Sequence, residues 1–271
     1  MNDILAFGDL RITLVLDGYS ALDSRRVYYP AEGPDWPEGA GVDASGSVAI
    51  RVMAALIQEG DHYTLVDTGY GETIKPERPE RLLDSLAAMD VQPKQIDRVI
   101  LTHAHGDHCM GNTLERGGRW LASYPLAEYV VQEDEIAAMR DSQSEVWMSQ
   151  FQPLLDRGQL RIISGETELS DTLACWPTPG HTSGHQSVLI RSQGKQAMVL
   201  GDLAVTALNM ERPEWGPEWA WSRAHDVASR RRIAEWAVDH DGLLIVAHDP
   251  IRPWIRLERT GSGFAATPAQ V

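Results

Sequence analysis

Read for the alternation of apolar and polar positions, the chain opens with a strand. "LRITLVLDG" is rich in β-branched residues at period two and stops at Gly18. "SVAIRVMAALIQEGDHYTLVDTG" predicts two strands joined by a tight turn at "EGD". The period then changes: "PERLLDSLAAMD" spaces Leu82, Leu83, Leu86 and Ala87 helically and begins behind a proline. "IDRVILTH" is a buried strand, "YVVQ" and "LRII" are short ones, and helices are expected near 133–140 and 144–156. "QSVLIRSQGKQAMVLGD" predicts a hairpin turning at Gly194, "RAHDVASRRRIAEWAVDH" a helix, "LLIVAHD" a buried strand and "WIRLER" a final strand. Strands come first, then strands mixed with helices, and the order repeats. That predicts two packed sheets with helices outside, a layered α/β architecture. No linker, low-complexity run or short repeat interrupts it, so one domain over residues 1–271 is expected.

Two stretches break the periodicity. Residues 24–47, "SRRVYYPAEGPDWPEGAGVDASGS", are rich in Pro and Gly and carry Tyr28, Tyr29 and Trp36. Long loops of this kind serve function often enough that these aromatics are candidates for a pocket wall. A second loop, 206–222, contains "NMERPEWGPEWAWS", with Trp215, Trp219 and Trp221. Its tryptophans suit an apolar substrate pocket, and equally suit packing against the core or a neighbouring subunit, which leaves a homodimer open.

Composition narrows the partners. Lys plus Arg number 24 against 39 Asp plus Glu, a net charge of −15. Nucleic-acid binding draws its affinity from phosphate neutralisation, so a nucleic-acid partner is not expected. Two cysteines, Cys109 and Cys175, make no disulfide framework. The N-terminus has no signal-peptide pattern, and no apolar window is long enough to span a bilayer. A soluble cytoplasmic protein without a membrane partner is the expectation.

Chemistry concentrates in "VILTHAHGDHCMGN", where His103, His105, Asp107 and His108 crowd together directly after an apolar run. One histidine near a strand is more often a hydrogen-bonded structural residue than a ligand. Four ligand-type groups are costly to desolvate together unless a cation compensates. Imidazole with carboxylate suits zinc and similar divalent ions. His103 and His105, two apart in extended backbone, point the same way. Gly106 allows a bend that turns Asp107 and His108 elsewhere, so one loop starts two sites. The remaining ligands are sought at other strand ends: His181 in "TPGHTSGHQS", Asp202 in "VLGDL" and His248 in "IVAHDP". His103, His105 and His181 then form one site; Asp107, His108 and His248 form the other, with Asp202 bridging. Cys109 is read as a small packed residue.

Taken in order, "THAHGDH", "PGHTSGHQS", "GDL" and "AHDP" resemble the metal-binding motifs of the metallo-β-lactamase superfamily, and "LVDTGYG" resembles its early aspartate motif. The resemblance runs from about residue 10 to about residue 258. It implies an αββα sandwich with a dinuclear centre at the sheets' shared edge. Zinc is the expected metal, with manganese, cobalt and iron as alternatives. Asp67 is implied to stand behind the ligands, although a plain turn role fits it as well, and His185 is implied to be a hydrogen-bonding neighbour of them. Two such metals hold a bridging hydroxide as nucleophile, while Asp107 or Asp202 handles the proton passed to the leaving group.

The branches of that family separate on single residues. Flavin-linked di-iron members carry a glutamate where His105 stands, and β-lactamases lack a counterpart of Asp202. Nuclease branches expect a basic surface, and glyoxalase II-like thioesterases a basic patch that is not evident here. "PGHTSGHQSVLI" is most similar to N-acyl homoserine lactonases, and the two long loops also resemble methyl parathion hydrolases. Lactonases typically place a tyrosine three residues after the bridging aspartate, where this chain has Val205. The resemblance thus implies hydrolysis of a small-molecule lactone or carboxylic ester with an apolar acyl or aryl group. A phosphotriester hydrolase and a metal-containing ligand-binding effector are the alternatives.

Overall fold

Pairing begins earlier than the alternation suggests: β1 (Asp3–Phe7) runs antiparallel to β2 (Leu10–Asp23). Strand β2 also continues past Gly18, which is not in a left-handed conformation and lies against the Arg78 side chain. In this computed structural model the described residues are 3–31, 36–37, 39–74, 77–261 and 263–269. The part of the predicted 24–47 loop at 32–35 and 38 lies outside them. The chain divides into two compact units, Met1–Gly18 with Val52–Thr167, and Tyr19–Arg51 with Glu168–Val271.

The first seven-stranded sheet adds β3 (Ser47–Glu59), β4 (His62–Val66), β5 (Ile96–Ile100), β8 (Glu128–Gln132) and β9 (Leu160–Ile163), in the order β1-β2-β3-β4-β5-β8-β9. Strands β3 and β4 form the expected antiparallel pair, while β4–β5, β5–β8 and β8–β9 are parallel. Parallel neighbours need crossovers, and these carry α2 (Leu82–Ala87), α3 (Gly106–Cys109), the hairpin β6 (Thr113–Arg116) and β7 (Arg119–Ala122), and α4 (Glu133–Asp141). The core of this unit joins Leu56, Leu65, Val99 and Val131 from strands to Leu86, Ile136, Trp147 and Phe151 from the crossovers.

The single helix expected over 144–156 is broken. Trp147–Phe151 is a π-helical turn, and α5 (Gln152–Asp156) follows it. Pro153 has no N–H to give the carbonyl of Ser149, four residues back. That carbonyl instead accepts from the Thr113 hydroxyl at 2.7 Å.

The second seven-stranded sheet runs β10 (Thr167–Glu168), β11 (Leu173–Pro177), β12 (Gln186–Ser192), β13 (Lys195–Val199), β14 (Leu243–Ile245), β15 (Trp254–Thr260) and β16 (Gly263–Pro268), in that order. The β12–β13 hairpin turns through Gln193 and Gly194, both at positive φ, where the sequence places it. The β13–β14 pair is parallel, and its crossover holds α6 (Ala207–Glu211) and α7 (Arg223–Asp239). Ile233, Ala234 and Ala237 of α7 pack on Met198, Leu244 and Ile255 of the strands. Strand β16, which pairs with the predicted last strand, was not expected from the pattern. A short α1 (Ser24–Val27), capped by the Asp23 carboxylate, opens the long loop.

One rule places the donors in each unit. In the first, Asp67 and residues 102–108 follow the C-terminal ends of the parallel neighbours β4 and β5. In the second, Asp202 and His248 follow the C-terminal ends of the parallel neighbours β13 and β14. Such ends are where open α/β sheets bind ligands.

Candidate metal centre

In the first unit, β5 delivers Thr102 and His103, and the chain turns into α3 with His105 at its N-cap. The bend therefore comes from a helix start and not from a left-handed Gly106. A Cβ there would come within 2.6 Å of Cδ1 of Ile74, the tip of that side chain, which would have to shift. The three imidazoles face one another, with ring centroids 4.7 Å apart for His103–His105 and 4.1 Å for His103–His108.

Hydrogen bonds settle how these rings are turned. The Asp67 carboxylate accepts from the Thr102 N–H, the Thr102 hydroxyl and His108 Nδ1, each at 2.8 Å. Asp67 itself takes a left-handed φ of 66°, so it is a turn residue and an acceptor at once. Because the Thr102 hydroxyl gives its proton to Asp67, it accepts from His103 Nδ1 at 3.1 Å. In their neutral forms both rings thus carry their lone pairs on Nε2. Asp107 Oδ1 lies 3.8 Å from His108 Nε2. Glu135 adds a support that the sequence did not reveal, accepting the Ala104 N–H at 2.8 Å. Burial, then the nearby Glu135 and Asp67 carboxylates, hold the Cys109 thiol well above its usual range, and its Sγ–H points to the Ala104 carbonyl. Cys109 is a packed residue, as expected.

The second unit repeats the logic. His248 Nδ1 donates to the Arg51 carbonyl at 2.6 Å, which leaves Nε2 facing Asp202 Oδ1 at 2.9 Å. His181 Nε2 faces the other oxygen, Oδ2, at 3.1 Å. With its Nδ1 proton given to the Arg51 carbonyl, a neutral His248 turns a lone pair towards the carboxylate at 2.9 Å, an arrangement that a positive charge between them would stabilise. Asp202 sits in a tight turn over Gly201–Leu203, and its N–H donates to His185 Nε2 at 3.1 Å. His185 Nδ1 in turn lies 3.1 Å from the Thr178 carbonyl and 2.9 Å from its hydroxyl. His185 is therefore occupied on both nitrogens, behind Asp202.

Among the described residues, those able to hold an ion include His103, His105, Asp107 and His108 in the first unit and His181, Asp202 and His248 in the second. The imidazoles are buried except for the exposed His105, and three of them, His103, His108 and His248, are turned by hydroxyl, carboxylate and carbonyl acceptors; with carboxylates beside them, this is the donor chemistry of a divalent metal. The residues fit the group the sequence implies.

The candidate pocket residues separate into two sets, all in the second unit. Tyr28, Trp36, Val205, Trp215 and Trp219 gather in one satellite core with Val27, Val48, Ile50 and Leu208. Tyr28 and Val205 are 0 % and 1 % exposed, so neither offers surface to a ligand. The Tyr28 hydroxyl donates to the Ala40 carbonyl and accepts from the Thr206 hydroxyl at 3.1 Å. Trp36 meets Tyr28 and Trp215 at centroid distances of 5.5 and 6.5 Å. The two long loops are thereby zipped together, and Gly216 N–H donates to the Tyr29 carbonyl at 3.0 Å. Tyr29 and Trp221 stay outside this core, 43 % and 60 % exposed.

Comparison with known proteins bears on the fold and the family. An N-acyl homoserine lactonase from a Bacillus species is 25% identical over 219 residues, 74% of this chain and 82% of the relative. A probable metal-dependent hydrolase from Staphylococcus aureus has the same fold, with a TM-score of 0.84 at 21% identity over 98% of this chain and 99% of that one. AidC, described as a dizinc quorum-quenching lactonase in complex with a hexanoyl homoserine product, superimposes with a TM-score of 0.81 at 20% identity, covering 100% of this chain and 98% of its own. Residues 49–257 match the sequence profile of the Metallo-beta-lactamase superfamily. The fold is the metallo-β-lactamase fold of mixed sheets and helices, and the chain belongs to the metallo-β-lactamase superfamily.

Proposed function

We propose that this hydrolase opens a lactone or carboxylic ester bearing an apolar acyl or aryl group, using two divalent metal ions, zinc by preference. The two units act as one catalytic domain. In it His103, His105 and His181 would hold one ion and Asp107, His108 and His248 the other, with Asp202 shared by both. When bound, such a pair supplies an activated water and a Lewis acid for the carbonyl oxygen.

The protein's own groups do the rest. Asp67 and Thr102 hold His108 and His103 with Nε2 forward, and Arg51 does the same for His248. His185 anchors the backbone of Asp202, so the carboxylate need not reorganise during turnover. Water oxygen adds to the carbonyl carbon and the bond to the alkoxy oxygen breaks. Asp107, whose side chain keeps 25% exposure, or Asp202 takes the water proton and passes it to the departing oxygen.

The observation that carries the reading is Asp202 held between two imidazole Nε2 atoms, 2.9 and 3.1 Å away. The likeness to a protein named N-acyl homoserine lactonase supports a lactone as the substrate. The buried apolar Val205, where lactonases typically offer a tyrosine, keeps an aryl phosphotriester as the rival.

The deciding assay compares an acyl homoserine lactone, an aryl ester and an aryl phosphotriester on zinc-loaded protein. Asp202→Ala serves as background, and turnover on the true substrate is expected to disappear in it. Highest kcat/KM on the lactone supports the reading, and highest kcat/KM on the phosphotriester replaces it. Metal uptake with ligand binding but no turnover on any of the three moves the chain to the effector class.

A further inference from the structure

Arg230 is one of three consecutive arginines on α7, yet it alone is fully buried. Its guanidinium reaches three acceptors at once. Nε donates to the Pro213 carbonyl at 2.9 Å, Nη1 donates to the Leu203 carbonyl at 3.3 Å, and Nη1 also donates to the Asp226 carboxylate. Leu203 is the residue after Asp202, in the same tight turn. Pro213 begins the segment that carries Trp215 and Trp219. Gly216 in that segment approaches so closely that a Cβ there would lie 2.4 Å from Nη2 of Arg230.

The far end of the pair reaches the third ligand segment. A Cβ on Gly180 would lie 2.2 Å from the Asp226 Cα, and the next residue is His181. The backbone is tied there as well, because Ser222 N–H donates to the Gly180 carbonyl at 2.9 Å and Trp221 N–H to the His181 carbonyl at 3.0 Å. Burial raises the Asp226 pKa, while the neighbouring Arg230 opposes it, and His181 and Asp202 both act on the group. A buried arginine is a costly way to fill space, and an apolar side chain of the same volume often serves stability as well or better. What an apolar residue lacks is a rigid fork of donors aimed at two carbonyls and a carboxylate.

We propose that Arg230 is a positioning residue, whose guanidinium locks the Asp202 turn to the tryptophan loop so that the ligand geometry and the position of that loop are set together. The proposal rests on the reading of Asp202 and His181 as metal ligands. It assigns a role to a side chain whose hydrogen bonds go to Pro213, Leu203 and Asp226.

The test uses the full-length protein loaded with cobalt(II). Cobalt affinity is read by chelator competition, coordination by the visible d–d spectrum, and turnover as separate kcat and KM on N-hexanoyl homoserine lactone. Arg230→Met is expected to bind cobalt about 10–100-fold more weakly with an altered spectrum, and to raise KM as the tryptophan loop loosens. Arg230→Lys, which can reach one carbonyl but not both, is expected to recover part of each change. Gly216→Ala provides a variant that keeps the arginine: pressing a methyl onto the guanidinium is expected to shift the same cobalt bands. In the Gly216→Ala, Arg230→Met double variant the alanine should add nothing further, since its collision partner is gone.

If Arg230→Met folds and keeps wild-type cobalt affinity, spectrum and KM, the proposal is overturned while the metal reading stands. If Arg230→Met does not fold, an unshifted cobalt spectrum in Gly216→Ala overturns it. If the wild type takes up no cobalt, the metal reading fails, and this proposal falls with it.

Discussion

At the scale of single residues, what matters is which nitrogen of each histidine is engaged. Asp67, Thr102 and the Arg51 carbonyl occupy Nδ1 of His108, His103 and His248, which fixes tautomer and ring angle together. Asp67→Asn keeps the shape but replaces a carboxylate by an amide. It should cost about 10–100-fold in zinc affinity, measured by chelator competition. Wild-type affinity in that variant would reduce Asp67 to a turn residue. Val205 is the other telling residue. Its side chain lies within the satellite core of Tyr28, Val48, Ile50 and Leu208, so the lactonase tyrosine has no room there. Val205→Tyr is expected to destabilise the protein by about 1–3 kcal/mol through overpacking, read from urea denaturation. It is also expected to bring no gain in lactone kcat/KM. A stable variant with faster lactone hydrolysis would show that the position opens to substrate after all.

At the scale of elements, the loops that carry the donors are held by backbone close approaches that only glycine allows. Gly71 has φ of 64°, and a Cβ there would lie 2.0 Å from the Met110 carbonyl oxygen. Gly111 approaches the Thr68 carbonyl just as closely. Thr68 in turn hydrogen-bonds the His108 carbonyl and Asn112, so this packing sets where α3 lies. Gly71→Ala should therefore cost about 3 kcal/mol, combining overpacking with a disfavoured φ. For a chain of this length that is a fall in Tm of about 6–12 °C, visible by calorimetry. An unchanged Tm would mean that the 67–71 and 108–111 segments separate without penalty. The π-helical turn belongs to this scale too. Pro153 frees the Ser149 carbonyl, and the Thr113 hydroxyl takes it, which ties the strand after α3 to the crossover.

At the scale of the whole molecule, the net charge of −15 and the clustered carboxylates make bound cations a matter of stability as well as chemistry. A ligand that binds only the folded state adds about 4 kcal/mol when present at about a thousand times its Kd. Stripping divalent ions with a chelator should therefore lower Tm by about 8–16 °C, and added zinc should restore it. If chelation left Tm and activity both untouched, the dinuclear reading would be lost. No described helix is long and apolar enough to cross a membrane.

The sequence by itself determined most of the candidate chemistry, because ligand-type residues stand out by residue type and by position after apolar strands. His103, His105, Asp107 and His108 were legible together, and His181, Asp202 and His248 were legible as isolated polar residues at strand ends. The central strands, the β12–β13 turn and α7 were legible too, since periodicity and turn chemistry are local signals. Strands β1 and β16 were not, because pairing at a sheet edge depends on a partner that no window contains. Only tertiary structure decided which of Arg230, Arg231 and Arg232 is buried, since α7 presents three similar side chains and packing selects one. It also decided that Tyr28 and Val205 belong to a satellite core while Tyr29 and Trp221 face outward. An aromatic in a Pro-rich loop has the same sequence signature whether it meets solvent, substrate or another ring. The supports from Glu135 and the Arg51 carbonyl were invisible because hydrogen bonds across tens of residues are made by folding, and the Thr102 hydroxyl accepts from its neighbour His103 only because it donates to Asp67, 35 residues away.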